Sequence, residues 1–465
     1  MPKLRIGRRY ILAACTLILS AAIASPAPAS RKVILVSIDG LRPEFYRDTR
    51  WPMPTLRMIA RRGATAVRVR GVYPSVTYPS HTTLVTGALP ARHGIYYNAP
   101  FEPKGKTGAW YWYAVDIKVP TLWDVSRAAG LKTVALSWPV SVGAPVDDLL
   151  PEIWPLDEHT DALTLLRNHS HPRSLLSELE GQATGRLPSD LLSLDRLDRD
   201  LTFARFAAYL IRTRKPDLFA IHFVELDHFQ HQEGRQGLDV ERAAAAVDGG
   251  LSIMCQALLD SHLDDATTWV ITGDHGFINI RQRLAPNVWL KQAGVLQTMP
   301  GNGPWKAVFH MTGASAFLHL HDPKDTATLH MVQALLDRLP DHYKALFHVL
   351  NRDRLKQLAA APEAALALDP VPGVDFTDRA DVPVLTPAHG GQHGYRMQTA
   401  DIFTGLAAAG PGIRRGARVV ELPMQDIAPL VAHLLEVRLP AADGKLPAAL
   451  LDDSASGGVC DTRQP

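Results

Sequence analysis

Five stretches of the chain are continuously apolar and rich in β-branched residues: KVILVSIDG (32–40), KTVALSWP (132–139), DLFAIHFVELD (217–227), TTWVITGDHG (267–276) and SAFLHL (315–320). Runs without alternation suit strands covered on both faces, as in a parallel sheet. Helical periods lie between them. PTLRMIARRG (54–63) and TLWDVSRAAG (121–130) each stop at Gly, and DVERAAAAVDGGLSIMCQALLDSHL (239–263) is long and amphipathic. Strand and helix alternate, which predicts a doubly wound α/β fold with a mostly parallel central sheet flanked by helices. Two segments break the rhythm. Residues 145–200, rich in Leu, Asp and Pro, read as an irregular or helical insertion. Residues 280–385, with helical stretches at 325–339 and 341–360, read as an inserted cap subdomain. The main domain then spans 31–450, and the tail 452–465 reads as flexible.

Composition narrows this picture. The 465 residues are 46% hydrophobic and 21% charged, enough for one large or two linked domains. A net charge of +2 gives no sign of a surface that coats nucleic acid. Residues 1–29 read as an export signal. Lys3, Arg5, Arg8 and Arg9 precede the apolar run YILAACTLILSAAIA, and small residues follow, with cleavage after Ala24 or Ala29. The run is short for a membrane span of about 20 residues, although a retained anchor is the competing reading. The arginine pair is also compatible with twin-arginine export. LAAC before Cys15 resembles a lipoprotein box, but the apolar run continues past it. The expected location is the periplasm, with no stable membrane span after signal removal. Cys255 and Cys460 remain; they either pair in an oxidising compartment or stay a buried thiol and a tail residue. With no Cys-x-x-Cys, a thiolate zinc site is excluded.

The chemistry gathers where strands are expected to end. Asp39, Asp227 and Asp274 each close an apolar run, and ligands of open α/β sheets bind beyond strand carboxyl ends. Three convergent carboxylates repel one another unless a cation lies between them. Asp227 and His231 are spaced to share one helix face, His275 follows Asp274, and His393 sits in the glycine-rich HGGQHGYR (389–396). Mixed Asp and His ligation suits zinc. Adding a deprotonated hydroxyl gives enough ligands for two metals, a device for phosphoryl transfer. Singly, each feature has a plain structural explanation: an Asp is often a helix cap, and a Dx3H pair is often a solvated helix face. Their joint occurrence carries the argument. In YPSVTYPSH (73–81) the hydroxyls on display are Thr77 and Ser75, with Ser80 behind them. If the next stretch is helical, its N-terminus favours an anion beside Thr77.

The ordered set ILVSIDGLRPEF, YPSVTYPSHTTLVTG, ARHGIYYN, DHFQH, TGDHGF and QHGYR resembles the nucleotide pyrophosphatase/phosphodiesterase family of the alkaline phosphatase superfamily. The likeness runs from about residue 32 to 430. It implies two Zn2+ per chain. Asp227, His231 and His393 match the ligands of one; Asp39, Asp274, His275 and the Thr77 oxygen match those of the other. Thr77 takes the place of the nucleophile, and Asn98 that of a donor to a phosphate oxygen. The implied activity is hydrolysis of phosphodiester or pyrophosphate bonds, of nucleotides to nucleoside monophosphates, through a covalent threonine intermediate. Tyr97, Tyr111 and Tyr113, near Asn98, are candidates to flank a base. The same aromatics suit a choline headgroup, so a lysophospholipid or choline-phosphate phosphodiesterase stays open. A sulfatase is disfavoured because no CxPxR-type site occurs, and metal-dependent phosphomutases usually use Ser at the place of Thr77. A non-catalytic periplasmic phosphate-ester binding protein would not require zinc.

Overall fold

Lys32–Ile38 (β1) is buried from Val33 onward, so it must pair on both edges and be covered on both faces. The computed structural model, which describes residues 2, 32–452, 454 and 457–461, meets that demand with an eight-stranded sheet. Its other strands are β2 (Ala64–Arg70), β3 (Thr133–Trp138), β4 (Asp148–Pro151), β5 (Leu218–Phe223), β6 (Thr267–Thr272), β7 (Thr404–Ala409) and β8 (Arg418–Pro423). The order is β8-β2-β7-β6-β1-β5-β3-β4. All neighbours are parallel except β7, which runs against both β2 and β6. The expected doubly wound α/β architecture is therefore present. Apart from Pro2, the expected export signal lies outside the described residues.

The alternation of β1 divides the core. Ile34, Val36 and Ile38 join one cluster with Phe203, Phe206, Val247 and Leu251. Val33 and Leu35 join another with Leu84, Val85, Ile427 and Leu430. Each such side chain contributes on the order of 1.5–3 kcal/mol on full burial. Four helices pack beside this sheet and carry or brace its polar end: α1 (Thr77–Thr86), α2 (Arg199–Arg214), α3 (Glu225–Glu233) and α4 (Leu238–Asp260). No helix among the described residues is long and apolar enough to cross a membrane.

SAFLHL was expected in the parallel sheet, but 315–320 belongs to a second, antiparallel sheet with 307–312, 347–351 and 366–370. That sheet has its own core around Trp289, Val308, Leu318, Leu336 and Leu368. A short run buried on both faces reads the same in either kind of sheet. The helix expected over 341–360 is broken. Phe347–Asn351 is a strand, and the Asn351 side chain then caps Arg352–Gln357 by accepting the Arg354 N–H at 2.9 Å. The expected flexible tail is tied down at residues 457–461. Cys460 forms a disulfide with Cys255 of α4, and the Asp264 carboxylate accepts the Val459 and Cys460 N–H groups at 3.0 Å. This also decides the open question of the two cysteines.

Candidate active site

β5 and β6 flank β1 in parallel, with Ser37 opposite both His222 and Thr272, so three carboxyl ends open together. Asp39 directly follows β1. Gly40, next in line, has a left-handed φ of 67°, and a Cβ there would meet Gln230 Nε2 at 2.7 Å. Asp274 follows β6 after Gly273. Asp227 is on the first turn of α3 rather than at a strand end, and that helix also carries His231.

The side chains converge. His275 Nε2 lies 3.3 Å from Asp39 Oδ1, 3.1 Å from Asp274 Oδ2 and 4.0 Å from Asp227 Oδ1. His393 Nε2 is 3.8 Å from Asp227 Oδ1, and His231 Nε2 is 3.4 Å from Asp227 Oδ2. The His275 and His393 rings stack at 3.6 Å. Two triads bring their ligand atoms within 4.8 Å of one another: Asp39, Asp274 and His275, and Asp227, His275 and His393. His275 therefore stands between the two groups that the motif pattern separates.

One device orients all three histidines. The Nδ1 of His231 faces the Gly391 carbonyl at 3.0 Å, that of His275 the Gly276 carbonyl at 3.2 Å, and that of His393 the Ser75 carbonyl at 3.0 Å. Each Nδ1–H donates to its carbonyl, leaving the Nε2 lone pair turned toward the carboxylates. Asp39 Oδ1, Asp227 Oδ1, Asp274 Oδ2 and His275 Nε2 are buried and have no protein partner. Each such orphan costs roughly 1–3 kcal/mol unless a ligand satisfies it. Burial, then the charges of Asp227 and Asp274, holds the Asp39 carboxyl well above its usual range. Burial is also the main cause that raises Asp274 to about 6, lowers His393 to about 4 and depresses His275. Crowded carboxylates and unprotonated imidazoles are the donor set that a divalent cation neutralises, so these residues fit metal ligation.

Thr77 opens α1, whose ten residues are all buried. Pro79 sits in the first turn, where a missing N–H is tolerated. Asn98 Oδ1 accepts the Tyr78 N–H at 2.9 Å, which leaves the Asn98 amide NH2 as a donor beside Thr77. Ser75, the rival hydroxyl, is occupied. It donates to the Tyr395 carbonyl at 2.9 Å and accepts the Gly394 N–H at 3.0 Å, pinning the His393 loop. Ser80 is buried behind.

A cavity of about 330 Å³ shares Thr77, Asp39 and Asp227 as lining and is walled by Trp110, Trp154, Leu192 and Phe203. The three tyrosines expected to flank a substrate are not among its lining residues. Tyr97 is wholly buried against Phe317 and bonds His319 at 3.2 Å. Tyr111 is half-buried and gives its N–H to the Asn98 carbonyl, and Tyr113 is 43% exposed at the edge of His169. In the alternating WYWY of 110–113, the tryptophans take the inner side. Trp110 meets Tyr78 at 5.1 Å and Trp154 at 4.7 Å.

Three functional neighbours escape the sequence reading. His222 lies inside the β5 run, and its Nε2 is 3.1 Å from Asp39 Oδ2 and its Nδ1 is 3.1 Å from Glu152 Oε2. Glu152 also accepts the Tyr78 hydroxyl at 2.9 Å. Arg199, at the start of α2, lines the cavity and donates to Ser137 Oγ at 3.0 Å. A polar residue inside an otherwise apolar strand run is the available signal for His222; Glu152 and Arg199 give none.

The profile of the family described as type I phosphodiesterase / nucleotide pyrophosphatase matches residues 33–396. Ectonucleotide pyrophosphatase/phosphodiesterase family member 7 of Rattus norvegicus is 21% identical over 94% of this chain and 92% of its own. The bis(5'-adenosyl)-triphosphatase enpp4 of Xenopus laevis is 21% identical over 95% of this chain and 86% of its own. Human ectonucleotide pyrophosphatase / phosphodiesterase 5 superposes with a TM-score of 0.65 at 19% identity, over 89% of this chain and 97% of that one. The murine counterpart, in an inactive threonine-to-alanine form in complex with AMP, gives 0.65 at 18% identity over the same shares. At these identities the structural likeness speaks for the fold.

Proposed function

The chain belongs to the type I phosphodiesterase / nucleotide pyrophosphatase family, a family of hydrolases, and from that premise we propose a two-zinc enzyme that cleaves nucleotides to nucleoside monophosphates. The observation that carries this reading is the convergence of Asp39, Asp227, Asp274 and His275 atoms without protein partners beside a cavity that Thr77 shares. Asp227, His231 and His393 would hold one ion, and Asp39, Asp274, His275 and the Thr77 oxygen the other. Bound there, Zn2+ favours the threonine alkoxide and offsets charge on the phosphoryl oxygens. Thr77 Oγ then forms a bond to phosphorus as the bond to the leaving oxygen breaks, giving a phosphothreonine diester. Water attacks that phosphorus next and frees Thr77. Asn98 and the amino end of α1 stabilise the charge that develops on the non-bridging oxygens.

The tryptophan-walled cavity supports a flat, apolar substituent on phosphorus, such as a nucleobase, and the AMP bound by the murine relative agrees with this. The Cys255–Cys460 disulfide supports export to an oxidising compartment, here the periplasm.

A substrate panel on the mature protein tests the proposal: ATP, a dinucleoside polyphosphate, a nitrophenyl phosphodiester, its monoester and lysophosphatidylcholine. The expected result is AMP from ATP, with diester preferred over monoester. Phosphocholine release without nucleotide cleavage would replace the reading by the lipid alternative. Thr77→Ala should abolish turnover while zinc stays bound; surviving turnover would remove Thr77 as the nucleophile.

A further inference from the structure

We propose that His222 is a positioning residue, which selects the Asp39 oxygen offered to metal and couples it to Glu152 in the wall of the substrate cavity. The inference rests on the proposed function only in taking Asp39 as a ligand. Asp39 has two oxygens with different fates. Oδ2 is engaged by His222 Nε2 at 3.1 Å, whereas Oδ1 is buried with no partner and lies 3.3 Å from His275 Nε2. A carboxylate held by one oxygen keeps the other aimed in a single direction. His222 is itself held, since its Nδ1 faces both the Ser137 carbonyl and Glu152 Oε2 at 3.1 Å. Glu152 in turn is fixed by the Tyr78 hydroxyl, from the residue that follows Thr77.

The path Asp39–His222–Glu152–Tyr78 thus crosses from β1 through β5 and the end of β4 to α1. Its hydrogen bonds are sheltered: His222 and Tyr78 are buried, and Asp39 is 5% exposed. Glu152 and His222 also line the cavity beside Thr77. Groups that orient a metal ligand in this way typically account for about 10–100-fold in metal affinity or activity.

Two substitutions separate the two ends of the imidazole. Asn at 222 can keep the donor toward Ser137 and Glu152 but cannot reach Asp39. Gln can reach Asp39 in the place of Nε2. Zinc affinity is read by competition with a chromogenic chelator on the substrate-free protein, together with the bound-zinc count. His222→Asn should weaken one of the two zinc equivalents by about 10–100-fold, and His222→Gln by only a few-fold. With a diester substrate, the loss should fall on kcat, with KM within about threefold. Wild-type zinc affinity in His222→Asn overturns the proposal. So does an equal loss in both variants, which would mean that the ring serves packing alone. If His222→Asn does not fold, Glu152→Gln carries the test. It reaches Asp39 through His222 and should still weaken zinc binding, whereas Tyr78→Phe, which removes only the other bond of Glu152, should not; unchanged affinity in Glu152→Gln, or an equal loss in Tyr78→Phe, refutes the coupling. Because zinc is measured without substrate, a wild type that binds zinc but cleaves no diester would sink the proposed function and leave this test standing.

Discussion

Replacing Asp274 by Asn should make the metal-free protein more stable and the zinc-loaded protein less so. The change is nearly isosteric. Asp274 Oδ1 accepts the Gly40 and His275 N–H groups at 3.1 and 3.0 Å, and an amide oxygen can keep both. Oδ2 has no partner and lies 3.1 Å from His275 Nε2. His275 gives its Nδ1–H to the Gly276 carbonyl, so Nε2 offers a lone pair that the new NH2 can bond. The removed charge stands close to the Asp39 carboxylate, with the ligand atoms within 4.8 Å. At that separation and an effective dielectric constant of 20, the repulsion is about 3.5 kcal/mol. Burial, with the charge of Asp227 adding to it, raises the pKa of Asp274 to about 6, a separate penalty on the order of 3 kcal/mol for the ionised form that the amide also escapes. Thermal and denaturant unfolding in EDTA should therefore favour the variant by about 2–3 kcal/mol, after some loss to imperfect amide geometry. With free zinc at about 1,000 times the wild-type Kd, wild type gains about 4.1 kcal/mol at the site that Asp274 serves, more than the variant's advantage, and the order reverses. A variant less stable than wild type in EDTA, or one that binds zinc with wild-type affinity, would show that charge crowding does not shape this site.

Three further outcomes are expected. Asn98→Ala removes the donor beside Thr77 and should lower kcat by about 10²–10³ with bound zinc unchanged; an unaltered kcat would exclude Asn98 from transition-state binding. Reducing Cys255–Cys460, which spans 205 residues, should cost up to about 5.4 kcal/mol in the loop-entropy limit, read as a lower Tm in the presence of a thiol. His93 is buried and bonded to Thr83, and burial lowers it to about 3. Its folded value lies below the unfolded value of about 6.5, so its contribution is complete above pH 6.5 and is lost as pH falls toward 3. His93→Gln should accordingly flatten the acid limb of the stability curve between pH 6 and 4 by about 1.4 kcal/mol per pH unit, and an unchanged slope would contradict this.

The second sheet shows where sequence periodicity stops informing. SAFLHL (315–320) and KVILVSIDG (32–40) are alike as strings, and only their partners differ: one pairs antiparallel with 307–312, the other parallel with β5 and β6. The aromatic run shows the same limit at a single site. WYWY announces two faces, but which face meets the cavity depends on Trp154 and Tyr78, remote in the chain.

What the sequence by itself determined is the fold class and the inventory of the site: buried strand runs, the Asp227–His231 helix face, and acidic residues beside strand ends. These follow from residue identity and short-range geometry. Only the tertiary structure decided that His275 stands between two groups of ligands, that Ser75 is spent on holding His393, and that His222 and Glu152 buttress Asp39. Those facts depend on which carboxyl ends lie side by side in a parallel sheet and on which carbonyl each imidazole can reach. Such contacts join residues up to 320 positions apart, and no local pattern encodes their distance.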